Sequence, residues 1–254
     1  MQVKLSVVII TFNEERNIER CLLSVKEIAD EILVVDSYST DRTKTICDEH
    51  QVRFLENPFE GHIEQKNFAK ERAKYDIILS LDADEALDDT LQAEVKNTKQ
   101  NWQKDAYKMN RLTNYCGQWI HHSGWYPDTK MRLFDRRKGA WGGQNPHDKY
   151  IPEKGTDIGY LKGDILHYSF YNRQEHIAQI EKFSTIGAKA LFKKGKRSNW
   201  LKLFIKPLAR FVKAYLLHRG FLDGKAGFDI SRLSAYANYL KYSKLLKLQH
   251  GQEI

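Results

Sequence analysis

Apolar residues fall in two alternating textures along the first hundred positions. "LSVVII" (5–10), "EILVVDS" (31–37), "VRFLEN" (52–57) and "DIILSLD" (76–82) are short, β-branched and nearly continuous, as strands covered on both faces require. Between them the spacing turns helical. In "NEERNIERCLLSVKEI" Ile18, Cys21, Leu22, Val25 and Ile28 lie on one helix face, with Asn13 as a candidate N-cap and glutamates in the first turn. "STDRTKTICDEH" predicts a short helix for which Asp41 is a capping candidate. "HIEQKNFAKERA" (62–73) predicts another, and "DDTLQAEVKNTK" (88–99) a helix that opens on a capping aspartate. Strand alternating with helix predicts an α/β fold: a parallel sheet with helices on both faces, whose ligands bind beyond the carboxyl ends of the strands.

Past residue 105 the pattern lengthens and alternates. "YKMNRLTNY", "KMRLFDRR" and "DIGYLKGDILHYSF" predict an antiparallel extension, and "GQWIHHSGWYPDT" and "WGGQNPHDKYIPEKG" read as long functional loops. After about residue 172 the chain reads as helix to its end. In "NWLKLFIKPLARFVKAYLLHR", Leu201, Phe204, Ile205, Leu208, Phe211, Val212, Tyr215 and Leu216 form an apolar face and Lys202, Lys206, Arg210 and Lys213 a basic one. Pro207 is expected to kink this helix or split it in two. These textures divide the chain into a catalytic-type domain at 1–172, with halves at about 1–105 and 106–172, and a basic amphipathic helical extension at 173–254.

Charge sharpens that division. Residues 1–181 carry 25 Lys and Arg against 30 Asp and Glu, whereas residues 182–254 carry 16 against 3, and no acidic side chain occurs from 182 to 222. Such a segment faces a polyanion, either nucleic acid or an anionic membrane leaflet. Three well-separated cysteines and no C-x-x-C pair argue against a disulfide framework or zinc ribbon. No apolar run approaches the length of a membrane span, and the N-terminal run is short for a signal peptide, so a cytoplasmic location is expected.

The strand ends carry the candidate chemistry. Thr11 to Asn13 follow the first strand, Asp36 ends the second and Asp82 the fourth, so parallel pairing brings them to one edge. In "LSLDADEALDD" Asp82, Asp84 and Glu85 crowd together, which requires solvation or a cation. A solvated helix start is the plain reading. Two carboxylates at i and i+2, aimed into a crevice by a buried strand, also suit Mg²⁺ or Mn²⁺, which could hold a diphosphate as a leaving group.

"SVVIITFNEERNIERCLLSV", "ILVVDSYSTDRT", "QKNFA" and "LSLDADE", in this order, resemble the family 2 glycosyltransferases of GT-A fold. "FLDGKAGF" and "GYLKGDILHYSF" are similar to the lipopolysaccharide core biosynthesis glycosyltransferases of the WaaE/KdtX type. The resemblance implies a Rossmann-like, mixed, mostly parallel sheet. It places Thr11, Asn13, Glu14, Asp36, Asn67 and Asp82 around the nucleotide sugar. It makes Asp84, with Asp82 and His167, the candidate metal ligands for Mg²⁺ or Mn²⁺. The base matches "NPHD", hence Asp148 beside His147, with Asp128 in reserve. It implies inverting transfer of a hexose, most simply from a UDP-linked donor such as UDP-glucose, to a lipopolysaccharide core or other lipid-anchored glycan. Work at the inner face of the cytoplasmic membrane, in peripheral contact with anionic lipid and without nucleic acid, completes the expectation. A catalytically inactive sugar- or membrane-binding module is the alternative, as is a nucleotidyltransferase of related fold, although the latter's Gly-rich N-terminal loop is missing from "TFNEERN".

Overall fold

The computed structural model describes residues 2–145 and 147–254, except for the side chain of His147. They form two compact units, Met1–Arg111 with Asp128–Tyr168, and Leu112–Pro127 with Ser169–Ile254. In chain order the elements are β1 (Leu5–Thr11), α1 (Ile18–Val25), β2 (Glu31–Asp36), α2 (Thr43–Glu49), β3 (Arg53–Glu56), α3 (His62–Arg72), β4 (Ile77–Asp82), β5 (Glu85–Leu87), α4 (Asp89–Gln100), β6 (Ala106–Tyr115), β7 (Gln118–Ile120), β8 (Asp128–Asp135), β9 (Gly139–Gln144), β10 (His147–Pro152), β11 (Ile158–Phe170), α5 (Arg173–Lys193), α6 (Trp200–Val212) and α7 (Gly224–Gln249). The main sheet runs β3-β2-β1-β4-β8-β6-β11-β5, with β7 on β6.

In the first unit β3, β2, β1 and β4 are parallel, and Thr11 lies level with Asp36 and Ile10 with Asp82. The polar strand ends therefore share one edge, as the pattern predicts. Val7 and Ile9 enter one apolar layer with Leu22, Val25 and Leu91 of α1 and α4. Val8 and Ile10 enter the opposite layer with Ala69 of α3 and with Phe134, Trp141 and Tyr150. Alternate side chains of β1 are thus buried on both faces, which is why its sequence is continuously apolar. Each such Val, Leu or Ile contributes about 1.5–3 kcal/mol of burial.

Three expectations need correction. Asn13 does not cap α1, which begins five residues later. It takes a left-handed φ of 53°, and its Oδ1 accepts from Thr40 N. The segment 141–155 is mainly a hairpin, β9 with β10, rather than a loop. Of the two outcomes expected at Pro207, a kink or a split, the split does not occur, because α6 runs through it as one element. Asp41 does serve α2, accepting from Thr43 N, and Asp88 caps α4 through Leu91 N.

The second unit packs α7 against α5 and α6. Asn172 caps α5 by accepting from Glu175 N, while Glu175 Oε2 accepts in return from Tyr171 N. In "FLDGKAGF" Asp223 is buried and accepts from His121 N, His122 N and His122 Nδ1. Gly227 sits where a Cβ would lie 1.8 Å from Gly220 O, so no other residue fits without moving the backbone.

His176 lies among Tyr115, Trp125 and Phe170, and burial pushes its imidazole down to about 4. Since the unfolded chain protonates this ring near 6.5, it binds more protons than the folded one between the two values. Stability from this group is full above about pH 6.5 and is lost as pH falls toward 4. The expected loss between pH 7 and pH 5 is about 2 kcal/mol. Urea midpoints at the two pH values measure it, and His176→Phe should flatten the slope. An unchanged slope in that variant would assign the acid sensitivity elsewhere.

Candidate active site

The first unit's strand ends assemble a chain of alternating charges. Asp82, at the end of β4, lies 3.0 Å from Lys66 Nζ through Oδ1 and accepts from Arg132 Nη2 at 2.9 Å through Oδ2. Lys66 reaches on to Asp148 Oδ2 at 2.8 Å. Arg132 reaches on to Glu85 Oε1 at 2.9 Å, and the same oxygen accepts from Arg111 Nη1 at 3.2 Å. Arg111 then donates through Nε and Nη2 to Asp128 Oδ2, whose partner oxygen meets Lys130 at 2.9 Å. Read along its length, the chain is Asp148, Lys66, Asp82, Arg132, Glu85, Arg111, Asp128, Lys130.

Strand geometry explains part of this. Asp128 and Lys130 occupy alternate positions of β8 and so share one face, Arg111 of β6 stands opposite Asp128 in register, and a register shift against β6 leaves Arg132 as the unpaired extra residue of β8. Lys66 rises from α3 and lies over the Trp141 ring at 4.7 Å, with the Arg132 guanidinium 5.4 Å from the same ring. Burial works to raise the Asp82 carboxyl, but Lys66 and Arg132 outweigh it and hold the group well below the usual range. Arg132 is held firmly charged by Glu85 and Asp82 against the cost of its burial. Asp128 is likewise below its ordinary value, burial being outweighed by Arg111 and Lys130. Arg132 Nε and Nη1 and Trp141 Nε1 have no hydrogen-bond partner among the described residues, so the cluster keeps buried donors in reserve.

Asp84 stands apart from that chain. Antiparallel pairing of β5 with β11 puts His167 opposite Glu85, and Tyr168 N donates to Asp84 O. The Asp84 Oδ2 and His167 Nε2 atoms are then 3.1 Å apart, both partly open to solvent. The two aspartates that the sequence motif pairs have different partners: Asp82 lies between the Lys66 and Arg132 cations, and Asp84 lies against His167. Glu14 lies near this pair. Burial first, and then Asp84 and Asp41, push its carboxyl up to about 7, against Asn17 and His167.

An oxygen and an imidazole nitrogen so close together form a donor set suited to Mn²⁺ or Mg²⁺. Among the described residues no third His, Cys, Asp or Glu completes a protein cage. Such a half-site fits an ion that takes its remaining ligands from a diphosphate and water. Asp82, the other expected ligand, is held by Lys66 and Arg132.

The remaining candidates shape the neighbouring edge. Asp36 is buried and accepts from Ser39 N and Oγ, and Ser39 Oγ also accepts from Asn13 N. Thr11 is buried beside it. Together these residues fix the loop after β2. Asn67 turns away from the strand ends: its amide donates to Trp141 O and accepts from Trp141 N, fastening α3 to β9. The residue before it, Lys66, enters the cluster instead. Sequence reasoning missed Lys66, Arg132 and Arg111, although charged residues at alternate positions of an otherwise apolar strand were a legible signal for Arg132. Phe12 and Tyr38, both exposed, flank the ends of β1 and β2. The side chain of His147 lies outside the described residues.

The chain is similar over 96% of its length, at 32% identity, to a protein of Rickettsia bellii described as an uncharacterized glycosyltransferase, covering 87% of that protein. It is 28% identical to the lipopolysaccharide core biosynthesis glycosyltransferase LpsC of Rhizobium meliloti, over 95% of this chain and 91% of that one. In fold it is similar to a mannosyltransferase of Pyrobaculum calidifontis solved with GDP-mannose and Mn²⁺, with a TM-score of 0.54 at 16% identity, over 97% of this chain and 88% of the other. The model of "Glycosyl transferase family 2" matches residues 6–161, the span that holds both the charge chain and Asp84, and the protein belongs to that family, in the GT-A fold.

Proposed function

We propose that this glycosyltransferase is inverting and divalent-metal-assisted, and moves a hexose from a nucleoside diphosphate sugar, with UDP-glucose the first donor to test, onto a lipid-anchored glycan of lipopolysaccharide-core type. The observation that carries this is the Asp84–His167 pair, an oxygen and an imidazole nitrogen 3.1 Å apart. The Mn²⁺ of the Pyrobaculum enzyme supports a metal in this fold, and LpsC supports the acceptor class. When bound, the ion supplies charge neutralisation to the departing diphosphate.

The residues of the chain do the rest. Thr11, Asn13, Glu14 and the loop held by Asp36 form the nucleotide edge, with Tyr38 and Phe12 available to stack on a base. Asp148 is the better base, since Lys66 engages one of its oxygens whereas Asp128 has both engaged. Its remaining oxygen takes the acceptor hydroxyl proton as that oxygen attacks the anomeric carbon opposite the diphosphate, which inverts the centre. No helix among the described residues is long and apolar enough to cross a membrane, so a lipid-held acceptor would be met peripherally, at the inner face of the cytoplasmic membrane.

A nucleotide-release assay with several donors and rough lipopolysaccharide, with Mn²⁺, Mg²⁺ or chelator, tests the reading. Asp148→Asn is expected to keep donor affinity while kcat falls by about 10²–10⁴. Near-normal turnover in that variant would move the base to Asp128. No release with any donor would leave a sugar-binding module.

A further inference from the structure

Helix α6 contains no buried residue. Trp200, Phe204, Ile205 and Leu208 stand on one stripe, and the first, second and fourth are 71%, 67% and 64% exposed. The π-turn Lys213–Leu217 that follows continues the stripe with Leu216 and Leu217, the latter 73% exposed. So much contiguous apolar surface in water marks a contact with something else. It is not a helix waiting to fold back. Its C-terminal end is already seated, with Phe211 and, in the turn that follows, Tyr215 each edge-on to Phe228 of α7 at 5.9 and 5.8 Å.

Charge identifies the occupant. Lys202, Lys206 and Lys213 form the basic face of the same amphipathic segment, and residues 182–222 hold eleven Lys and Arg with no Asp or Glu. On α7, Lys241 is pushed below its ordinary value by burial and then by Arg210 and Lys206, so cations crowd here. A second copy of the chain would set the same cations against themselves. A polyanion alone would leave the apolar stripe in water. A surface that takes both is an anionic bilayer interface, with apolar side chains below the headgroups and ammonium groups at the phosphates.

We propose that α6 and the turn after it form an in-plane membrane anchor, inserting Trp200, Phe204, Leu208 and Leu217 while Lys202, Lys206 and Lys213 meet lipid phosphates. The anchor names the surface by which a lipid-held acceptor is approached, and in that respect rests on the proposed function. Its test uses neither donor nor acceptor, so the two readings fail separately.

Sedimentation of the full chain with phosphatidylcholine vesicles, with and without phosphatidylglycerol, is the measurement. Binding is expected only to the anionic vesicles at low salt, with release at high salt. Changing Lys202, Lys206 and Lys213 together to Gln should lower the partition coefficient about 10²-fold, at about fivefold per cation. Phe204→Ser with Leu208→Ser, both exposed and therefore harmless to the fold, should abolish binding with the melting temperature unchanged. Transfer to a short soluble acceptor should survive in both variants. Equal binding to neutral and anionic vesicles, or none to either, overturns the proposal. So does a dimer that the serine pair dissociates without vesicle binding, or retention on DNA that the serine pair leaves intact.

Discussion

Arg132→Met is expected to destabilise the protein by about 3–5 kcal/mol, the cost of removing one member of a buried ion pair. The guanidinium is 3% exposed and serves Asp82 and Glu85 at once, each at 2.9 Å. Methionine fills similar volume but leaves Glu85, whose side chain is wholly buried, with the more distant Arg111 at 3.2 Å and the Asp82 N–H. Adding Glu85→Gln removes the orphaned charge and should recover part of the loss, a coupling that a double-mutant cycle reads directly. Chemical denaturation at pH 7 measures both effects. A loss below about 1 kcal/mol would mean that the cluster is far better hydrated than its burial implies.

Asp84→Ala is expected to behave in the opposite manner, with little change in stability and a fall in transfer of 10³-fold or more. The stability half follows from surroundings: Asp84 is partly exposed and its ion-pair partner among the described residues is His167, so its removal orphans no deeply buried charge. The activity half follows from losing the oxygen ligand of the proposed ion, whose stabilisation of the leaving diphosphate is worth several kcal/mol. Calorimetric titration with Mn²⁺ and nucleoside diphosphate should show binding lost in the variant and in chelator-treated wild type alike. Full turnover of Asp84→Ala in chelator would overturn the metal assignment. The contrast between Arg132 and Asp84 separates what holds the strand ends together from what acts there.

The parallel half of the fold was legible because β1, β2 and β4 bury both faces and so read as unbroken apolar runs. The hairpin of β9 and β10 was not, because its glycines look like loop residues. A Cβ on Gly142 would lie 2.8 Å from Ile151 Cδ1, so the glycine reports a close approach across the hairpin rather than a break in structure. Asn13 satisfied the spacing rule for a helix cap and is engaged by the loop after β2 instead, a tertiary contact that local sequence does not encode. Asn67 and Lys66 show the same limit. Both lie on α3, and only the direction each takes from the helix decides which one fastens β9 and which one reaches Asp82.

The alternating chain also bears on the order in which ligands arrive. Its four acids and four bases cancel, so from a distance the cluster contributes little field. Groups outside it then contribute to the local field at the strand edge, among them Asp84, Asp41 and Glu14, which near pH 7 is only partly charged. These carboxylates would repel a nucleoside diphosphate sugar diffusing alone, whereas the same molecule already carrying a divalent cation would present much less negative charge. Under the proposed chemistry, encounter favours the metal-bound donor over the free one, and raising ionic strength would narrow the difference between them.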